Sequence, residues 1–382
     1  MTVTQSQPIR DYSLGIFDGP HATPEEAEDG PYFLGIKNIT EDGRLDFSEP
    51  RYVSESEFPR WTKRVQPAQG DVVFTYEATL HRYALIPEGF RGCLGRRVAL
   101  VRPNPNKVDS RFLLYYFLSA GWRAIVESNV ISGATVDRIP LERFPTFPAA
   151  MPPLATQRRI ADVISSYDDL IDNNRRRIKL LEDSVLLLFS EWFVRLRFPG
   201  CQRVAGLNDM QAGWQRLPLD QVLFLQRGFD LPTQDREEGS VPIYGASGIN
   251  GFHNIAKVPG PGIVTGRAGS LGVVHFVPGD FWPLNTSLWV KELRRASPRF
   301  AVHLLRSMNL DRYGQGATMP MLDRKVVHQV EVLLPPADLM ARFESFAVDV
   351  YDQIDTLGQQ SRKLRTARDL LLPRLMSGEL TV

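Results

Sequence analysis

Apolar and polar residues follow two rhythms along this chain. Between Pro152 and Trp192 the rhythm is helical. From Ile160, alternating steps of four and three land on Ile164, Tyr167, Ile171, Asn174, Ile178, Leu181, Val185, Leu188 and Trp192. All of these except Asn174 are apolar or aromatic, which is the seam of a coiled coil. The positions between them are rich in Asp, Arg, Lys and Asn and predict a solvated face, with Arg175-Arg176-Arg177 pointing outward. At ~1.5 Å per residue the helix spans about 50 Å, too long for the interior of one small domain, so it needs a partner helix. Asn174, the lone polar seam residue, is expected to set register at some cost in stability.

Elsewhere the rhythm is that of short strands between Gly, Pro and Asp: residues 32–39, 44–47, 70–76, 83–87 and 96–103, then 241–248, 262–266, 271–279 and 286–293. Helices are predicted over 111–127, where Gly121 weakens the pattern, and over 299–308. The two halves repeat. Gly133-Ala134-Thr135 recurs as Gly316-Ala317-Thr318 and Pro152-Pro153 as Pro335-Pro336, both at an offset of 183. At that offset a second seam runs through Phe343, Val350, Ile354, Leu357, Leu364 and Leu371, with Ser361 and Arg368 at core positions. Phe17-Asp18-Gly19 matches Gln226-Arg227-Gly228 only at an offset of 209, so the first half holds about 26 extra residues. The plan is α+β: a mixed globular unit at 1–151, a long helix at 152–198, a linker at 199–213, a second unit at 214–334, and a second long helix with the tail at 335–382. Two globule–helix repeats can pair about a pseudo-two-fold axis, with their helices as an antiparallel coiled coil. The globules would then stand at opposite ends of a ~50 Å helix.

Composition adds limits. The 382 residues are 43% hydrophobic and 23% charged, ordinary for a globular protein of two or three domains. No apolar run approaches a membrane span, and the N-terminus lacks a signal-peptide pattern. Only Cys93 and Cys201 occur, which argues for a reducing cytoplasm and against a zinc site. The formal charge of +1 means that any DNA binding rests on local basic patches.

No zincin, nucleophile-elbow or Walker pattern is present, and the histidines are scattered. The glycines of 260–272 lack the spacing of a phosphate loop and read as turns. No cofactor and no metal is expected, and the chain is expected not to be an enzyme. What remains are basic, amide and aromatic residues on glycine-rich loops. In the first unit these are Lys37, Asn38, Lys63, Arg64, Tyr76, Glu77, Arg82, Arg96, Arg97 and Thr135. In the second they are Tyr244, Ser247, Asn250, Arg267, Ser270, Asn285, Thr286 and Thr318. Arg and Lys bind phosphates or guanine edges, and Asn reads adenine. Taken singly, each is more often a solvated charge or a turn residue, and the two threonines equally suit turn closure.

Several stretches together resemble the specificity subunit of type I restriction-modification systems. They are FDGPHATP (17–24), YFLGIKNI (32–39), EFPRWTKR with GDVVFTYEA (57–78), VPIYGASGINGFH (241–253), GPGIVTGRAGSLGVVHF (260–276), PPLATQRRIADVISSYDDLIDNNRRRI (152–178) and LLLPRLMSGEL (370–380). The resemblance covers nearly the whole length. It departs at Leu219-Asp220-Gln221, where the family often has Leu-Gly-Asp, and at Arg368 in the second seam. It implies a non-catalytic, cytoplasmic subunit that reads a bipartite, asymmetric target in double-stranded DNA, one half per recognition domain. Two modification (methyltransferase) subunits using S-adenosylmethionine would dock along the helices, and restriction (translocase) subunits using ATP would join them. Two other readings stay open: a recognition scaffold for a methyltransferase without a restriction partner, and a coiled-coil interaction protein with no DNA role, which the near-neutral charge favours.

Overall fold

The computed structural model describes residues 6–133, 136–200, 213–316 and 320–382. Two compact units emerge: Met1–Asn173 with Gln360–Val382, and Asn174–Gln359.

In the first unit, strands β1 (Ser13–Asp18), β3 (Val72–Thr75), β4 (Tyr83–Leu85) and β6 (Val98–Pro103) form an antiparallel sheet in the order β1-β6-β3-β4. Strands β2 (Ala27–Leu34) and β5 (Gly92–Leu94) pair in parallel beside it. The central strands read as unbroken apolar runs because both of their faces are covered. Val72, Phe74, Ala99 and Val101 join a cluster with Phe112, Phe117 and Trp122, while Val73, Val98 and Leu100 join another with Leu34 and Ile86.

The single helix expected over 111–127 is two: α1 (Ser110–Leu118) and α2 (Ala120–Glu127). The break is at Ser119, not at Gly121. Ser119 is extended (φ −73°, ψ 151°), ending one helix and capping the next.

 

The Ser119 hydroxyl donates to the Tyr116 carbonyl (2.6 Å) and accepts from the Trp122 amide (3.3 Å), which turns the Trp122 ring fully inside.

The second unit repeats this frame. Strands β7 (Leu223–Arg227), β10 (Gly262–Gly266), β11 (Val274–Val277) and β13 (Ser287–Leu293) form an antiparallel sheet in the order β7-β13-β10-β11. A smaller sheet holds β8 (Val241–Gly245), β9 (Gly248–His253) and β12 (Trp282–Pro283). Helix α4 (Pro298–Ser307) stands where α1 stands in the first unit.

Two long helices, α3 (Leu154–Phe189) and α5 (Ala337–Met376), contribute one end to each unit. In the first unit the start of α3 meets the end of α5: Ile160, Ile164, Leu371, Leu372 and Leu375 share a core, as in antiparallel helices. Arg368 is no packing defect. Its guanidinium pairs with Asp168 at 2.6 Å, and Asp168 also accepts from the Tyr115 hydroxyl at 2.7 Å. In the second unit the end of α3 meets the start of α5, with Val185, Phe189, Phe193, Phe343, Ala347 and Val350 buried. Here a π turn over Ser190–Val194 rotates the buried face onto Phe189 and Phe193, while Leu188 and Trp192 are only partly buried. Tyr167, Ile178, Leu181, Ile354 and Leu364 are also partly buried; Ile171, Asn174 and Leu357 are buried.

Polar anchors fix each helix start. Buried Gln157 accepts from the Asp109 amide (3.0 Å) and donates to the Lys107 and Pro152 carbonyls (3.1 and 2.8 Å). In the second unit Met340 occupies the matching place, its Sδ 3.5 Å from the Ser297 amide. Glu344 then caps α4, accepting from the Arg299 and Phe300 amides at 3.0 and 3.1 Å.

Two predictions follow from this packing. Strands β1 and β7 each run into a glycine, Gly19 and Gly228, where a Cβ would collide with the carbonyls of Leu94 and Gly95 or of Pro283 and Leu284. Gly228→Ala is expected to lower stability by about 1–3 kcal/mol in denaturant unfolding; an unchanged midpoint would show that these segments can separate freely. The second concerns His303, buried beside Phe189 with Nε2 3.1 Å from the Tyr351 hydroxyl. Burial pushes its imidazole down to about 4, with Arg306 and Arg299 adding to the effect. The unfolded chain therefore takes up this proton first. The contribution is fully present above the ordinary value of 6.5 and is lost as pH falls toward 4. Stability should drop across that window by up to ~1.4 kcal/mol per pH unit, and His303→Gln should flatten the slope. Identical acid profiles would refute the assignment.

Candidate nucleic-acid interface

The two units build the same cleft from the same backbone contacts. After β3 the chain leaves the sheet at Tyr76-Glu77; the Tyr76 carbonyl accepts from the Ile139 amide (2.7 Å), and the Ala78 amide donates to Asp137 (3.1 Å). After β10 it leaves at Arg267-Ala268; the Arg267 carbonyl accepts from the Leu322 amide (2.8 Å), and the Gly269 amide donates to Pro320 (3.2 Å). At the neighbouring strand ends, the Gly19 amide donates to Val98 (3.0 Å) and the Gly228 amide to Ser287 (3.1 Å). Asp18, Tyr76 and Ile139 thus correspond to Arg227, Arg267 and Leu322.

In the first unit this geometry opens a cleft of about 540 Å³ bordered by Phe17, Asp18, His21, Tyr76, Arg138 and Ile139. In the second it opens one of about 1040 Å³ bordered by Gln226, Arg227, Asp230, Arg267, Met321 and Leu322. The two sets are equivalent position by position, yet their chemistry differs.

The first cleft has two carboxylates and a phenol at its centre. Asp18 is held by Arg64 at 2.6 Å and His21 at 3.2 Å, and Glu77 by Arg97 at 2.9 Å. The buried Tyr76 hydroxyl has no hydrogen-bond partner among the described residues. Burial pushes it up to about 12, with Asp18 and Glu77 adding and Arg64 and Arg96 opposing, so it stays a neutral donor at pH 7. The second cleft has donors at its centre. Arg227 is half exposed, with Asp230 3.7 Å away, and Arg267 donates to the Asn285 carbonyl at 3.3 Å.

The structure gathers Arg64, Tyr76, Glu77, Arg96 and Arg97 around the first cleft and Arg267 and Asn285 around the second. Thr286 closes the second turn from behind, its carbonyl accepting from the Arg267 and Ala268 amides. Others stand elsewhere. Asn38 is buried, its amide spent on the Gly35 amide and the Asp46 carbonyl, both at 2.9 Å. Tyr244 is buried in a small core with Val264 and Phe281. Arg82 reaches Glu41 at 3.5 Å, and Asn250 accepts from Arg236. Lys37, Lys63, Ser247 and Ser270 are exposed. Thr135 and Thr318 lie outside the described residues. Asp18, Gln226, Arg227 and Arg138 were not singled out from sequence. The offset-209 match of Phe17-Asp18-Gly19 with Gln226-Arg227-Gly228 contains three of them, but as a sequence pattern it signals only a repeat. Among the described residues no cluster of His, Cys, Asp and Glu could hold a metal ion, and no helix is long and apolar enough to cross a membrane.

Residues 28–183 match the family model of the type I restriction modification DNA specificity domain. The type I restriction enzyme MjaIX specificity subunit of Methanocaldococcus jannaschii is 23% identical over 99% of this chain and 90% of its own length. The EcoprrI specificity subunit of Escherichia coli is 21% identical over 76% of this chain and 72% of its own. The fold matches the crystal structure of a type-I restriction-modification system S subunit from M. genitalium with a TM-score of 0.58, at 17% identity over 97% of this chain and 95% of that one. Residues 28–183 thus match the specificity domain of type I restriction-modification systems, and over nearly its whole length the chain is similar to proteins named as specificity subunits of such systems.

Proposed function

We propose that this chain is the sequence-reading, non-catalytic subunit of a type I restriction-modification complex. The observation that carries the reading is the repeated cleft: one backbone frame, built twice, with different side chains at matching positions. A subunit that reads two unlike half-sites in double-stranded DNA needs that arrangement. Residues 1–151 and 214–334 act as the two target-recognition domains, and 152–198 and 335–382 as the helices that join them. Catalysis belongs to partners: modification subunits that methylate adenine with S-adenosylmethionine, two per complex, and restriction subunits that use ATP. The exposed leucines along α3, Leu170, Leu180, Leu186 and Leu187, support its outer face as their docking surface. The complex works in the cytoplasm.

The test is a gel-shift titration of the chain assembled with its modification subunits, on cognate and random duplexes. Cognate affinity should fall by on the order of a thousand-fold between 50 and 200 mM salt, as phosphate contacts dictate. Salt-insensitive or absent binding would favour a coiled-coil interaction protein instead. A complex that methylates its target but never recruits a restriction subunit would be the methyltransferase-only scaffold.

A further inference from the structure

The two clefts differ most at the place where the central strand ends. There the first unit carries Tyr76 and the second Arg267, each with its carbonyl bonded to the returning segment, at Ile139 or Leu322. Backbone direction at this point is therefore the same in both units, and the side chain alone differs. Tyr76 offers one neutral hydroxyl. Arg267 offers a planar fork with five N–H groups, of which Nη1 donates to the Asn285 carbonyl at 3.3 Å. Asn285 is itself held, its amide donating to Asp230. The fork is thus pinned from one side, while its other N–H groups have no partner among the described residues and border an open cleft. A solvated surface arginine is mobile and unspecific; one fixed at a single N–H keeps its geometry without filling its donors.

Guanine is the base whose major-groove edge presents two acceptors, N7 and O6, to such a fork. The surroundings favour that partner over a cytosine or adenine amino group. Arg227 and Arg324 border the same cleft, and its carboxylates, Asp230 and Asp323, are engaged by Asn285 and by the Lys325 amide at 2.8 Å. In the first cleft the matching positions carry Asp18 and Tyr76, with Glu77 beside them.

We infer that Arg267 is a specificity-determining residue of the second unit and reads a guanine in its half-site, while Tyr76 at the same place in the first unit does not. This rests on the reading of the chain as a DNA-recognition subunit.

The test uses the complete complex with its modification subunits. Methylation-aware sequencing gives the target motif of the parent and of Arg267→Ala, Arg267→Lys and Asp18→Ala, and competition binding gives affinities on cognate and guanine-substituted duplexes. Arg267→Ala should keep the motif except at one guanine, which becomes degenerate, with cognate affinity about ten- to a hundred-fold lower. Arg267→Lys retains charge and fold but loses the fork, so it should relax the same position even if the alanine variant unfolds. Asp18→Ala, in the other cleft, should leave that guanine read. The inference falls if both Arg267 variants keep the parental motif. It falls equally if they weaken binding to all duplexes alike with a shallower salt dependence, which marks a phosphate contact, or if Asp18→Ala relaxes the same guanine. A parent complex that binds no duplex in a salt-dependent way would instead overturn the proposed function, a result that no Arg267 variant can mimic.

Discussion

Every part of this molecule depends on two helices that are each too long for one core. A helix with a narrow apolar stripe and an otherwise polar surface gains little by itself; its stability comes from burying that stripe. Here each stripe is buried twice, by different partners at its two ends. At the start of α3, Ile160 and Ile164 enter the aromatic core of the first unit; at its end, Val185 and Phe189 enter that of the second. Apolar contacts alone do not fix where a helix begins, because sliding by one turn preserves much of a stripe. The buried polar anchors do. Gln157 can satisfy its oxygen and its amide nitrogen together in one position only, and Glu344 can cap α4 from one position only. Displacing either would leave buried donors without acceptors, at a cost of about 1–3 kcal/mol for each group.

That division of labour explains what can be read from the sequence. The seam from Ile160 to Val185 is visible because its apolar positions keep one period from the core of the first unit to that of the second. The α+β plan is visible because apolar strands between turn residues need little context. The departures all arise where tertiary contacts override local pattern. Ser119 splits an apolar run that looks continuous, since its hydroxyl serves both flanking helices and so places Trp122 inside. The π turn at Ser190–Val194 adds a residue to the helical turn and exchanges Leu188 and Trp192 for Phe189 and Phe193. Arg368 looks like a flaw in the second seam only until Asp168 and Tyr115 are seen around it.

The candidate interface was partly legible for a related reason. Residue type singles out Arg64, Tyr76, Glu77 and Arg267, which the fold places at or beside the two clefts, because charged and aromatic side chains on glycine-rich loops are common carriers of recognition. Type alone could not distinguish Asn38, whose amide closes a turn, from Asn285, whose amide and carbonyl hold Asp230 and Arg267. An asparagine's role is set by which partners lie within hydrogen-bond reach, and that is a property of the folded chain. Asp18 and Arg227 are not legible in the sequence because each looks like an ordinary strand-end charge. Only their equivalence across the repeat shows that one backbone position carries opposite charges.

That exchange shows how such a frame can change the chemistry of its cleft without changing its fold. The determinants of the frame are buried and mostly apolar, or are glycines forced by close carbonyls at Gly19 and Gly228. The bordering side chains at Asp18 and Arg227 are partly solvated and contribute little to stability, since exposed charges are worth about 0–1 kcal/mol. Substitutions at those positions are therefore nearly free of folding cost, while those at the glycines beside them are not. Two copies of one frame can then diverge in cleft chemistry and keep identical strand order, as the β1-β6-β3-β4 and β7-β13-β10-β11 sheets have done. Tyr76 is the exception, a buried residue whose replacement would reach the core, and its hydroxyl also feels the charges of Asp18 and Glu77. In the second cleft the Arg267 side chain is held, among the described residues, through the Asn285 carbonyl and is half-buried, so a substitution there disturbs the core less than one at Tyr76.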